Sequence, residues 1–401
     1  VLKTPFLALR FGLLLFLISS LMGCASVRLG ARRDGAQTRS LAGASDAVAG
    51  DSRFPRVVVY NGNWNPLDVH NIPAEKMTHF IYFGIIVLNG ECRSVSDDQA
   101  KADRENLVEI QKLKIKNPSL KLMFSIAGHP GEFSKAVETD SARLRFVNSC
   151  AVMLKKYDLD GIDIDWEFPS LGDKPFYLSF LRELRAEIGA QHLLTIAVNG
   201  DYRHFANYPL LTEMLPLLDW INIMGYDFDG TYGHKGHAVP GSALFAWKPD
   251  SDIAPEIEQS AREIYNDNAI VKWSVANGIP KHKLVLGVPL YGHKLTGVAA
   301  KNHGLYQSTA GAKSAYIYGN DIDMLLRRGY KGYFDSSTKS VWLYSEKDHV
   351  FVSYENAESL KYKCQYILDQ KLGGIMIWEY GQDFQHHLMN AVHAGLRPDA
   401  K

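Results

Sequence analysis

The sequence predicts an α/β fold, a (β/α)8 TIM barrel with a small α+β insertion between strands seven and eight. Three observations carry this expectation. Short apolar runs alternate with helical stretches from Val57 to Trp378, the rhythm of a parallel barrel wrapped in helices. The first run leads into Asn61-Gly62-Asn63-Trp64, which is not the glycine-rich phosphate turn of a doubly wound sheet. Residues 292–349 form a gap far longer than a barrel connection needs, and it holds strand-like pieces of its own.

The expected barrel strands are Val57–Tyr60, Phe80–Phe83, Leu120–Ile126, Gly161–Asp165, Leu193–Val198, Trp220–Met224, Leu284–Val288 and Gly374–Trp378. Helical patterns lie between them. Leu107–Lys116 is closed by Asn117-Pro118, and Ser141–Tyr157 follows. Pro175–Ile188 ends at Gly189, and Pro255–Asn277 stops at Gly278-Ile279-Pro280. Ser359–Gln370 leads into the last strand. In the long gap, Lys331–Phe334 and Val341–Tyr344 read as strands and Asp321–Arg328 as a helix, a rim wall and not a linker.

The barrel is thus expected over residues 54–291 and 350–397. Residues 1–23 read as a leader: Lys3 and Arg10 precede the apolar run Phe11–Ile18, too short for a stable membrane anchor. Leu21-Met22-Gly23-Cys24 resembles a bacterial lipobox, which implies cleavage before Cys24, lipidation of its sulfur and an extracytoplasmic, membrane-anchored protein. Residues 24–53 lack apolar periodicity and read as a flexible tether. Lys plus Arg and Asp plus Glu both number 44, a balance that argues against a nucleic-acid binder. Cys92, Cys150 and Cys364 allow at most one disulfide and match no metal-ligand spacing. No cofactor or metal is expected, and the chain reads as a monomer.

Asp160-Gly161-Ile162-Asp163-Ile164-Asp165-Trp166-Glu167 carries the most chemical information. Residues two apart share a strand face, so Asp163, Asp165 and Glu167 point one way and Ile162, Ile164 and Trp166 the other. Acids lined up inside a barrel oppose one another's ionisation. A shared proton and a raised carboxyl pKa are the expected relief, and a carboxyl that keeps its proton is what a general acid needs. Glu167 comes last, where barrel active sites sit. Asp160 precedes the alternating face and reads as a structural turn residue. An acid ladder or metal site is the competing reading, but no histidine cluster converges on this strand.

These acids match the signature of glycoside hydrolase family 18, the chitinases and their relatives, which the chain resembles over residues 54–395. Met224-Gly225-Tyr226-Asp227, Gly287-Val288-Pro289-Leu290-Tyr291-Gly292, and Ser353-Tyr354 with Leu372–Glu379 are similar to that family's later motifs. Two places depart from it. Ser125-Ile126-Ala127-Gly128 has Ala for Gly, and Tyr82-Phe83-Gly84 leaves open which aromatic of strand two lines the site.

The resemblance implies retaining, substrate-assisted hydrolysis of β-1,4-linked N-acetylglucosamine polymers. Glu167 would protonate the glycosidic oxygen, and Asp165 would orient the substrate acetamido group. Asp163 would tune Asp165 by sharing a proton, and Tyr226 would hydrogen-bond the acetamido oxygen. Trp378 would form the apolar floor, with Met224, Asp227 and Tyr291 completing the pocket and Trp64 a weaker candidate. The alternatives are the same chemistry on peptidoglycan or N-glycan cores, or a non-catalytic chitin-binding lectin.

Overall fold

The structure is a computed structural model that describes residues 55–65, 67–228, 236–247, 259–309, 314–317 and 319–397. The leader, the tether and Cys24 lie outside the described residues, as does the expected helix start at Pro255.

The strands in chain order are β1 (Arg56–Gly62), β2 (His79–Leu88), β3 (Glu91–Ser94), β4 (Lys121–Gly128), β5 (Gly161–Trp166), β6 (Leu193–Asn199), β7 (Trp220–Met224) and β8 (Leu284–Pro289). Then follow β9 (Gly292–Thr296), β10 (Ser314–Ile317), β11 (Lys331–Asp335), β12 (Ser340–Ser345), β13 (Val350–Tyr354) and β14 (Gly374–Trp378). The parallel strands run in the order β1-β14-β8-β7-β6-β5-β4-β2, and pairing of β1 with β2 closes the barrel. Every barrel strand expected from the sequence is one of these eight, and the two strands expected in the long gap are β11 and β12. β3 is an extra strand, an antiparallel hairpin partner of β2.

Between strands eight and fourteen the chain builds a second sheet, antiparallel throughout, in the order β10-β9-β13-β12-β11. It runs from Gly292 to Tyr354, a few residues past the expected end, because β13 completes it. Ile322–Arg327 is its helix. Leu343, Val350 and Val352 pack with Ile322 and Leu325 on one face, and Trp342, Tyr344 and Phe351 pack with Leu295 and Val298 on the other.

Helix ends follow local chemistry. Thr139 caps Asp140–Lys156 by accepting from the Ala142 N–H at 3.2 Å, and Asn356 caps Ala357–Gln370 through the N–H groups of Glu358 and Ser359. The helix expected from Leu107 starts ten residues earlier, at Asp97, capped by Ser96. Only Asp103 and Leu107 of that helix are buried, so its first turns carry no apolar period to read. The short helix Pro130–Val137 and the last helix, His387–Leu396, are further additions.

The alternation of each strand splits the core in two. Val58, Tyr60, Ile81, Met123, Trp220, Val285 and Met376 fill the barrel. The opposite faces pack against the helices, where Trp166 stacks on Phe133 at 4.9 Å with planes 9° apart and Phe146 stacks on Phe180 at the same separation. Cys92, Cys150 and Cys364 are buried free thiols.

Phe133 clamps the outer face of Trp166, the last residue of β5. Phe133→Ala removes a fully buried ring and should cost about 3–5 kcal/mol of stability. Urea unfolding followed by far-UV circular dichroism checks this, and Phe133→Leu should recover most of the loss.

Candidate active site

Strand β5 places its acids by alternation. Asp163 points into the barrel and is fully buried. Burying a carboxylate requires hydrogen bonds, and Asp163 receives two on each oxygen. Tyr60 Oη and Ser125 Oγ each donate to Oδ2 at 2.8 Å; Thr195 Oγ1 donates to Oδ1 at 2.5 Å and Asn222 Nδ2 at 3.1 Å. Register makes this possible, because Ser125 and Thr195 lie directly beside Asp163 on the flanking strands. Burial raises the Asp163 pKa, and the four donors oppose that rise.

Asp165, one layer higher, lacks such a cradle. It is buried, and its Oδ1 has no hydrogen-bond partner. Burial, then the charge of Glu167, then that of Asp163 push its pKa well above the carboxylate range. The proton expected somewhere in this acid row is therefore favoured on Asp165. Glu167 follows the strand's last residue and is half-buried at its C-terminal end. Trp166 fixes that end from outside, between Phe133 and Tyr177. Asp160 serves structure, as expected. It accepts from the Leu122 N–H at 2.8 Å and pairs with Lys114 and Lys121 at 2.9 and 3.2 Å.

The end of β7 delivers the next group. Met224 closes the strand, and Tyr226 is buried with its Oη 4.0 Å from Met376 Sδ. Its ring meets Tyr291 edge-on at 6.1 Å. Asp227 has a positive φ of 62°, accepts a hydrogen bond from Tyr291 Oη and lies 3.5 Å from His293 Nε2. A cavity of about 10 Å³ beneath them, lined by Asp227, Ser242, Tyr291, His293 and Ser353, has room for one water.

Trp378 ends β14 and stands edge-on to Phe83 at 4.7 Å, with Tyr60 at 5.6 Å and Trp64 at 6.2 Å. The aromatic from strand two is therefore Phe83. Tyr82 faces outward and donates to Asp103 at 2.7 Å. Trp64 is 56% exposed, an apolar ring offered to solvent beside the buried ones. Its loop is tied down by buried Glu379, which accepts from the Gly62 N–H at 3.0 Å and from Asn65 Nδ2 at 2.6 Å.

The expected residues Asp163, Asp165, Glu167, Tyr226, Met224, Asp227, Tyr291 and Trp378 thus all sit at or below the C-terminal mouth of one barrel. The reading of the sequence left Phe83 as one of two choices on strand two, and missed the cradle of Tyr60, Ser125, Thr195 and Asn222, as well as Glu379 and His293. A polar side chain on the inward face of an otherwise apolar strand was the available signal for Ser125, Thr195 and Asn222. Among the described residues, no group of three or more His, Cys, Asp or Glu could hold a metal ion. No helix among them is long and apolar enough to cross a membrane. An aromatic wall, a proton-retaining acid and a second carboxyl at the strand end suit acid–base chemistry on a ligand with flat apolar faces.

The family profile for glycosyl hydrolases family 18 matches residues 56–383. Chitinase B of Serratia marcescens is 31% identical, over 79% of this chain and 76% of its own length. Chitinase A1 of Niallia circulans is 33% identical over 73% of this chain, which spans only 44% of that relative. Among solved structures, a glycoside hydrolase family 18 N-acetylglucosaminidase from Paenibacillus barengoltzii superposes with a TM-score of 0.73 at 27% identity, covering 85% of this chain and 100% of that one.

The raised pKa of Asp165 has a consequence for stability. A carboxyl with a raised folded-state pKa contributes stability that is full below its unfolded value and is lost as pH rises through its folded value. At neutral pH the Asp165 site is therefore a burden on the fold. Asp165→Asn should flatten the decline in Tm as pH rises from 4 to neutrality and raise Tm at pH 7. Differential scanning calorimetry across that range checks it.

Proposed function

The chain belongs to family 18 of the glycosyl hydrolases, and on that premise we propose that it cleaves β-1,4-linked N-acetylglucosamine polymers, chitin and its oligosaccharides, with retention of configuration. The observation that carries the proposal is the buried Asp165 carboxyl set between Asp163 and Glu167 at the mouth of the barrel.

In this reading a sugar stacks on Trp378 with its acetamido group turned down toward Asp165. As the substrate seats, the proton retained by the acid row passes from Asp165 to Glu167; Glu167 donates it to the glycosidic oxygen, and the leaving sugar departs with that proton. The substrate's own acetamido oxygen attacks C1, which forms an oxazolinium ion without an enzyme nucleophile. Asp165 accepts a hydrogen bond from the acetamido N–H. A carboxyl crowded by negative charge gains the most when positive charge develops beside it, so the feature that raises its pKa also stabilises the oxazolinium. Tyr226 donates from its hydroxyl to the acetamido oxygen. Glu167, now a base, takes a proton from the water that opens the ring, and the product keeps the starting configuration. The site cradle under Asp163 holds the row of acids fixed while charge moves above it.

Cys24 is proposed to carry a lipid that anchors the protein outside the cytoplasm, on the strength of Leu21-Met22-Gly23-Cys24 behind a short apolar run. Cys24→Ser expressed in the native host should leave the membrane fraction while hydrolysis persists. A wild-type protein whose N-terminus carries no acyl group in mass spectrometry refutes the anchor.

Glu167→Gln should lower kcat on a chitohexaose substrate by about 10²–10⁴-fold while binding of the oligomer by calorimetry is retained. Proton NMR of early wild-type products should show the β anomer first. Hydrolysis by the Gln variant near the wild-type rate overturns the acid assignment. Wild-type protein that binds chitohexaose and never cleaves it favours a lectin, and cleavage of peptidoglycan alone redirects the substrate.

A further inference from the structure

Lys363 is fully buried in the helix Ala357–Gln370, and nothing in the chemistry above uses it. An ammonium group survives burial only with close partners. Its Nζ lies 2.9 Å from Asp267 Oδ2 and 3.0 Å from Glu355 Oε1, and it donates to Ser242 Oγ. Burial opposes the charge on Lys363; the two carboxylates outweigh it and leave the pKa above its ordinary value. These partners come from separate places. Asp267 opens the helix Asp267–Ala276, Glu355 follows β13 of the second sheet, and Ser242 belongs to the chain returning after β7.

Ser242 gives the cluster a direction. A lysine ammonium has no lone pair, so Ser242 Oγ accepts from it, and the single hydroxyl proton is left for another acceptor. That acceptor is the Gly225 carbonyl oxygen, 2.6 Å away. Gly225 lies between Met224 and Tyr226. A Cβ at Gly225 would come 2.3 Å from Asp267 Oδ1 and 2.8 Å from the Gly287 carbonyl oxygen, so only glycine lets the charged cluster press against this backbone. The Gly225 carbonyl belongs to the peptide whose nitrogen is that of Tyr226. Fixing it fixes the plane from which the tyrosine side chain departs.

We propose that Lys363 and Ser242 are positioning residues that act through Tyr226: the buried ammonium polarises Ser242, and Ser242 clamps the Gly225–Tyr226 peptide. The proposal rests on the reading that Tyr226 contacts the reacting acetamido group. It links the second sheet to the chemistry, because Glu355 reaches the clamp from the end of β13. Loss of one buried hydrogen bond that is made before and during the reaction should misplace the tyrosine without removing it.

A double-mutant cycle tests this with a chromogenic N-acetylglucosamine trisaccharide as substrate. Ser242→Ala should lower kcat by about three- to tenfold with KM within about twofold and lower Tm by no more than a few degrees. Tyr226→Phe should lower kcat by more. In the Tyr226→Phe background, Ser242→Ala should cost nothing further, because its effect passes through the missing hydroxyl. Lys363→Met should mimic Ser242→Ala if it folds; Ser242→Ala alone decides the matter if it does not. Multiplicative effects of Ser242→Ala and Tyr226→Phe, or an unchanged kcat for Ser242→Ala, overturn the clamp and leave the Tyr226 role intact. A Tyr226→Phe enzyme at the wild-type rate overturns the reading of Tyr226 and the clamp together.

Discussion

One carboxylate organises the inside of this barrel. Asp163 is a charge in an apolar interior filled by Val58, Ile81, Met123, Val285 and Met376. It is tolerable there because four strands each give a donor: Tyr60 from β1, Ser125 from β4, Thr195 from β6 and Asn222 from β7. All four hydrogen bonds can form only when the barrel is closed and each strand is in register, since a one-residue slip would turn a donor to the outer face. The same charge acts upward, helping Glu167 keep a proton on Asp165. It also acts sideways, holding the Tyr60 hydroxyl well above its ordinary pKa after burial has already raised it.

The acids were legible because alternation needs only one strand. Asp163, Asp165 and Glu167 declare a common face by spacing alone, and the apolar residues between them declare the other. The cradle was not legible in the same way. Asn222 shares a face with Trp220 and Met224, which marks it as inward, but its task depends on a strand placed beside it by the closed sheet. Lys363 was harder still. It sits two residues from Lys361 in a helix with an ordinary mixture of charges, and only the fold brings Asp267 and Glu355 to one of the two lysines. Glu379 stood inside a recognised motif without a task, because the loop it fastens lies more than three hundred residues earlier in the chain.

The second sheet is more than a decoration of the rim. Tyr316 of β10 stacks on Tyr291 at 4.6 Å, and Tyr291 holds Asp227 through its hydroxyl. His293 of β9 approaches the same carboxylate from another side. The residue after Tyr226 is thus gripped from the sheet, while the residue before it is gripped by Ser242. Both grips use polar groups that are wholly or partly buried, which specify a geometry more sharply than apolar contacts of the same area.

The pairing of β1 with β14 brings together the first and last strands of the barrel, and Arg56 Nη1 reaches the Gly373 carbonyl across 317 residues of sequence. Closing a loop of that length costs on the order of 5 kcal/mol of chain entropy. During synthesis, β1 and β8 wait as open sheet edges until the second sheet, the helix of Lys363 and β14 have all emerged. A chain that ends before Gly374 would therefore lack more than Trp378. It would keep two unpaired edges in its barrel sheet and an Asp163 cradle with nothing to hold its strands in a ring, a species whose fate is association with its own kind. The last strand is the keystone that turns an open ribbon into a closed barrel.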